Sequence, residues 1–175
     1  LYGKKLGIIG MGRLGHIMAD GAHGWRMPDL FTDPNVEQSE YPDYRRVELE
    51  ELLAECDIVA VHVHLTPETE NMISAECFRK MKNSAVLINT ARGKIVDEVA
   101  LLEAVKAGEV AGYGTDVLSC ELDENSDIAS DPLVVYAKEN RNVLITPHIG
   151  GMTADSRVAT DIFMAEKVKK FMIGQ

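Results

Sequence analysis

Positive charge is scarce in this 175-residue chain: 18 Lys and Arg stand against 28 Asp and Glu, a formal net charge of −10. A surplus of that sign repels phosphate backbones and anionic bilayers, so binding to nucleic acid or a lipid surface would need a local basic patch. The densest basic cluster, Lys167, Lys169 and Lys170, sits near a helix end and makes no such patch. Long apolar runs are also lacking, and none approaches the roughly 18 residues of a bilayer span. Leu1 to Gly7 has neither the charged start nor the apolar stretch of a signal peptide. Cysteine is rare: Cys56, Cys77 and Cys120 are an odd number at wide spacing, which argues against a disulfide framework and for a reducing compartment. There is no internal repeat and no low-complexity linker. These absences leave a soluble, cytoplasmic, acidic chain whose length suits one domain with a real core.

What is present is an alternation of short apolar β-type runs with helical stretches. Lys5 to Ile9, Leu30 to Thr32, Ile58 to His64, Ala85 to Asn89, Tyr113 to Val117 and Asn142 to Thr146 read as strands. A helix begins near Arg13, and Val47 to Glu55 puts Leu49, Leu52 and Leu53 on one helical face. Ser74 caps a short helix running to Met81. Asp97 caps another that carries Leu101, Leu102 and Val105 and stops at Gly108. Thr153 to Met172 is a long helix with Val158, Ile162, Ala165 and Val168 near one stripe. Two segments read as loops. Pro34 to Arg46 is polar and holds Pro42, and Cys120 to Pro132 is crowded with Glu121, Asp123, Glu124, Asp127 and Asp131. Continuous apolar strands separated by helices predict a parallel sheet covered on both faces, a doubly wound α/β fold in a single domain.

Directly after the first strand, Gly10-Met11-Gly12-Arg13-Leu14-Gly15 opens a helix. The first glycine permits a tight turn, the second lets a pyrophosphate approach the backbone, and the third allows close helix–strand packing. The unpaired N–H groups of the helix start favour phosphate. Asp33, 18 residues past Gly15, ends the second strand, where a carboxylate accepts ribose hydroxyls and repels a 2′-phosphate. The cofactor this predicts is NAD rather than NADP. The plainer alternative is a glycine-rich turn followed by a surface Asp.

Other strand ends carry further chemistry, as ligand sites of open α/β sheets do. Asn89-Thr90-Ala91-Arg92-Gly93 follows one strand and presents a planar guanidinium suited to two-point binding of a carboxylate or 2-oxo acid. Thr146-Pro147-His148-Ile149-Gly150-Gly151 ends the last strand, with His148 as a general acid/base. Asp116 ends another, and Glu121 lies five residues on as the carboxylate that orients the imidazole. Each has a structural reading when taken alone, a solvated arginine or a core histidine. His62, His64 and Cys56 could suggest a metal, but no further ligand falls at suitable spacing, so no metal site is expected. The acidic neighbours of Cys120 oppose a nucleophilic role for it.

Taken in order, Gly10 to Gly15, Asn89 to Gly93 with Val96-Asp97-Glu98, Asp116-Val117 and Thr146 to Gly150 closely resemble the signatures of D-isomer-specific 2-hydroxyacid dehydrogenases, over nearly the whole chain. The resemblance implies a Rossmann-type NAD-binding domain, hydride transfer between nicotinamide and a D-2-hydroxy acid or 2-oxo acid, and homodimers paired through the cofactor domain. By the same resemblance Arg92 binds substrate, Glu121 supports the imidazole and His148 moves the proton. It puts Arg13 and Leu14, with Gly10, Gly12 and Gly15, at the pyrophosphate, Asp33 at the ribose and Thr69 near the phosphates. Thr90 and Asp116 fall near the nicotinamide end, and Ala91, Arg92, His148 and Gly150 join the cofactor-lining set. His64 matches a cofactor-lining position where the family often has Pro. Gly24 to Asp29 and Leu122 depart from the family pattern. The chain starts nine residues before Gly10 without a Met, which reads as a cofactor domain (1–175) lacking its flanking substrate domain. Within this resemblance a NAD-responsive binding module of the corepressor type remains the alternative to an enzyme.

Overall fold

Seven parallel strands form one sheet in the computed structural model, which describes residues 1–40, 43–123 and 125–174. Pro42 and Glu124, each in an expected loop, lie outside the described residues. The strands are β1 Leu6–Ile9, β2 Asp29–Thr32, β3 Arg45–Arg46, β4 Ile58–Val61, β5 Val86–Asn89, β6 Gly112–Thr115 and β7 Val143–Ile145. The helices are α1 Arg13–Gly24, α2 Leu49–Glu55, α3 Ala75–Lys80, α4 Glu98–Ala107, α5 Pro132–Glu139 and α6 Ala154–Met172. The spatial order is β3-β2-β1-β4-β5-β6-β7. Chain direction across the sheet reverses at β1, whose Gly7 pairs with Leu30 on one side and Val59 on the other. In open α/β sheets the crevice outside such a reversal is where ligands bind.

The larger core lies under α2, α3, α4 and α5, which bury Leu52, Leu53, Phe78, Leu101 and Leu133 against one face of the sheet. Packing there is close: a Cβ on Gly7 would come within 2.5 Å of a Leu52 methyl. On the other face α1 covers Leu6, Ile8, Phe31 and Ala60 with Ala19 and Ala22. That cover does not reach the far strands, so the expected two-sided cover is only partly realised. Ile88 lies beside Gly114 and is half-buried, and Leu144 is 67% exposed. The stripe expected on α6 buries nothing within the chain, because the helix has no buried residue.

Local signals explain most boundaries. Asp97 accepts the Ala100 N–H at 3.0 Å, and Gly108 ends α4 with φ +73°. Ser74 stands at the N-cap position of α3, yet its side chain makes no capping hydrogen bond. Both expected loops contain structure. Arg45–Arg46 adds the edge strand β3, too short for a periodic pattern to mark. After the acidic loop Asp131 caps α5, accepting from Leu133 and Val134, with Pro132 at the first helical position. Asp followed by Pro is a helix-start signal that the density of acids obscured. β4 ends at Val61 rather than His64, because the backbone there bends over the glycine turn. Among the described residues no helix is long and apolar enough to cross a membrane.

Candidate active site

The glycine turn is built for close approach. Gly10 has φ +96°, and a Cβ on it would lie 2.9 Å from the His62 carbonyl. A Cβ on Gly15 would sit 2.1 Å from the Gly10 oxygen, so the third glycine lets α1 seat directly on the turn. Gly12, by contrast, has open space around it and caps α1 with no side chain over the helix end. No acid occupies the first turn of α1, which leaves its N–H groups and partial positive charge to an anion. Arg13 and Leu14 follow, both exposed.

From this turn a cleft of about 550 Å³ runs past Thr32 and Asp33 to Thr69 and Met72. Asp33 is already engaged: one oxygen accepts the Met11 N–H at 2.9 Å and the other the Asn35 N–H at 2.8 Å. Each carboxylate oxygen keeps a second acceptor site, so the pair can still receive two hydroxyls. Thr69 spends its hydroxyl on the loop, donating to the His64 carbonyl at 2.6 Å and accepting from the Thr66 N–H at 2.8 Å. His64 is exposed and lines both this cleft and a smaller recess beside Arg92.

The neighbouring space, about 650 Å³, joins Leu14, Thr90, Arg92, Asp116, His148 and Gly150. Ala91 lines a smaller recess beside it. Asn89 shapes the Arg92 loop by donating to the Arg92 carbonyl and accepting from the Ala91 N–H, both at 3.0 Å. Arg92 is exposed and donates one guanidinium N–H to the Ala91 carbonyl. A guanidinium has five donors, so this bond leaves others for a ligand in the cavity that Arg92 lines.

His148 adopts φ +53°, a left-handed conformation that costs a side chain of this kind on the order of 1 kcal/mol. Asp116 holds it there. Its carboxylate accepts from Thr146 Oγ1 at 2.5 Å, the Ile149 N–H at 3.0 Å and the Gly150 N–H at 2.7 Å. Burial pushes the Asp116 carboxyl up, but these donors, helped by His148, outweigh it, and the net direction is down. Asp116 is thus occupied in gripping the 146–150 loop. Glu121 Oε1 lies 3.1 Å from His148 Nδ1, while its Oε2 accepts the Leu118 N–H at 3.1 Å. With Nδ1 paired to a carboxylate, the neutral imidazole keeps its lone pair at Nε2.

In the sequence His62 reads as a weak metal candidate on a strand that leads to the cofactor cleft. The structure puts it where the two cavities meet, with a buried Nε2 that has no partner among the described residues and with burial pushing its pKa down. An orphaned polar atom at that junction fits a ligand that passes from one cavity to the other. Its signal was its position one residue past a strand end. Among the described residues no group of three or more His, Cys, Asp or Glu could hold a metal.

A family model for the D-isomer specific 2-hydroxyacid dehydrogenase NAD-binding domain matches residues 1–150. The chain belongs to this family. It is 38% identical over 175 residues to glycerate dehydrogenase of Methylorubrum extorquens, covering 100% of this chain and 52% of that protein. It is 38% identical over 178 residues to glyoxylate reductase of Korarchaeum cryptofilum, covering 100% and 51%. The solved D-lactate dehydrogenase of Aquifex aeolicus, complexed with NAD and lactic acid, superposes with a TM-score of 0.85 at 34% identity, covering 98% of this chain and 54% of that one. The chain spans about half the length of the curated relatives it matches. The match to the NAD-binding domain ends before α6 begins.

Proposed function

We propose that this chain is the cofactor-holding half of an oxidoreductase that interconverts a D-2-hydroxy acid and its 2-oxo acid. The observation that carries the proposal is the Glu121–His148 pair at 3.1 Å, with His148 and Arg92 opening on one cavity. The residues fit NAD: a glycine turn that excludes side chains, an uncapped helix start for the pyrophosphate, and Asp33 for the ribose. When bound, NAD(H) supplies the hydride chemistry at C2 of the substrate. Arg92 pairs with the substrate carboxylate and polarises the C2 carbonyl. In the reducing direction His148 gives the proton from Nε2 to the carbonyl oxygen, and in the oxidising direction it takes that proton back. Glu121 holds the ring and stabilises its charged form. Nothing among the relatives above, all dehydrogenases or reductases, favours the NAD-responsive binding module.

Asp33 supports a preference for NAD(H) over NADP(H). Asp33→Ala is expected to weaken NADH binding about 10- to 100-fold, the loss of charge-assisted hydrogen bonds, without weakening NADPH. Calorimetry on the chain reads both, and a parent chain that binds NADPH as tightly as NADH would remove Asp33 from this role.

Residues 1–175 serve as one cofactor domain, with a separate substrate domain closing the cleft. Alone, the chain is therefore expected to reduce 2-oxo acids with NADH very slowly or not at all. Arg92 then meets bulk water, where an exposed ion pair contributes about 0–1 kcal/mol. Joining a substrate domain is expected to restore turnover, whereas brisk turnover by the isolated chain would mean that the substrate site lies elsewhere. The uncovered Val158, Ile162 and Val168 of α6 support a homodimer. Light scattering is expected to give twice the chain mass, and a monomer at high concentration would count against pairing. The three free thiols suit a reducing, cytoplasmic setting.

A further inference from the structure

One buried carboxylate is used by none of the steps above. Glu98 is the first residue of α4 and is 9% exposed, although Asp97 already caps that helix. Both its oxygens take the Ser119 N–H, at 3.1 and 3.2 Å, and Oε2 also takes the Ser119 hydroxyl at 2.5 Å. Ser119 lies inside the turn that presents Glu121. In that turn the Glu121 N–H donates to the Leu118 carbonyl at 3.3 Å, and Glu121 Oε2 accepts the Leu118 N–H at 3.1 Å. The same peptide is held from a second side by Gly93, where a Cβ would lie 2.0 Å from the Leu118 carbonyl carbon and 2.2 Å from the Ser119 nitrogen. The stretch that starts at Arg92 and ends at Glu98 therefore grips the turn that carries Glu121 at two points.

We propose that Glu98 is a positioning residue: by holding Ser119 it fixes the 118–121 turn, and with it the seat of Glu121 on His148. The proposal rests on reading Glu121 and His148 as the proton-moving pair. The site tolerates a costly group to do this. Burial, opposed by the two Ser119 donors and joined by Asp131 and Glu121, leaves the Glu98 carboxyl raised to about 7. Burial pushes the nearby Cys120 and Tyr113 up, and the charge of Glu98 adds to both. An acid with a raised folded-state pKa favours the fold when protonated, so its contribution falls as pH rises from about 4.5 toward 7.

The test compares Glu98→Ala, Glu98→Gln and Ser119→Ala in the polypeptide that joins this chain to a substrate domain. Glu98→Ala is expected to lower kcat about tenfold with KM for NADH unchanged, because the cofactor turn is untouched. Glu98→Gln keeps an acceptor for the Ser119 N–H and is expected to recover most of kcat. Ser119→Ala loses one of the hydrogen bonds and is expected to lower kcat about threefold. In the isolated chain, hydrogen exchange at the Leu118 and Ser119 amides is expected to quicken in Glu98→Ala while NADH still binds. If Glu98→Ala fails to fold, Glu98→Gln and Ser119→Ala decide the matter by their kcat and amide exchange. Wild-type kcat in Glu98→Ala, or in Ser119→Ala where that variant decides, overturns the proposal. So does a parallel loss of kcat, NADH affinity and stability that Gln does not repair, since that marks a residue needed only for folding. A parent enzyme that reduces no 2-oxo acid sinks the functional reading itself, and with it this role, while the exchange data still report whether Glu98 holds the turn.

Discussion

The His148→Ala enzyme is expected to lose between about 10² and 10⁴ in kcat while binding NADH as tightly as its parent. On the proposed function the imidazole exchanges a proton with the substrate oxygen, and water replacing it would be neither oriented nor paired with Glu121. NADH affinity survives because the glycine turn and Asp33 line the other cavity, which His148 does not reach. One complication is built into the backbone: at φ +53° an alanine is itself strained. His148→Asn separates the two effects, since Asn accepts the left-handed conformation readily but cannot act as a general acid/base. Both variants are expected to show the same loss of kcat, measured at saturating NADH and substrate. Near-normal turnover by His148→Asn would move the proton transfer to another group.

Gly93→Ala is expected to destabilise the chain by about 3 kcal/mol, at the upper end of what overpacking costs, because the new Cβ meets backbone rather than a flexible side chain. For a domain of this size that is a fall in Tm of roughly 6–12 °C. The damage should be functional as well, because the atoms forced apart belong to the loops that carry Arg92 and Glu121. Gly12→Ala is the control. Its Cβ would meet nothing within 4 Å, so Tm is expected to stay near that of the parent. Thermal unfolding of the two variants side by side decides it, and a Gly93→Ala chain as stable as Gly12→Ala would mean that the two loops are not locked together.

What could be read from the chain beforehand follows from which forces are local. An apolar run such as Leu6–Ile9 marks a strand because packing on both sheet faces buries every residue of it. Asp97 and Gly108 mark helix ends because capping and left-handed φ depend on residue type. α5 is hidden in the sequence because its start, Asp131-Pro132, closes a run of acids that reads as loop. The open half of the second sheet face could not be foreseen either, because a strand's pattern does not say whether a helix comes to cover it. In the site, residue types identified Arg92, Glu121 and His148 as partners, and the fold brings Glu121 to His148. The supporting contacts were not legible. That Asp116 grips the 146–150 loop, and that Glu98 holds Ser119 across 21 residues of sequence, depends on distances that only the packed sheet sets.

The most direct measurement is the fate of the hydride. Reduced NAD carrying deuterium at the transferable C4 position is supplied, with glyoxylate-, pyruvate- and hydroxypyruvate-type 2-oxo acids in turn, to the polypeptide that joins this chain to a substrate domain. The account predicts that deuterium appears at C2 of the product, that chiral products have the D configuration, and that the hydroxyl proton comes from solvent. If NADH binds but no substrate acquires deuterium at C2, or if the labelled product has the L configuration, the account is contradicted.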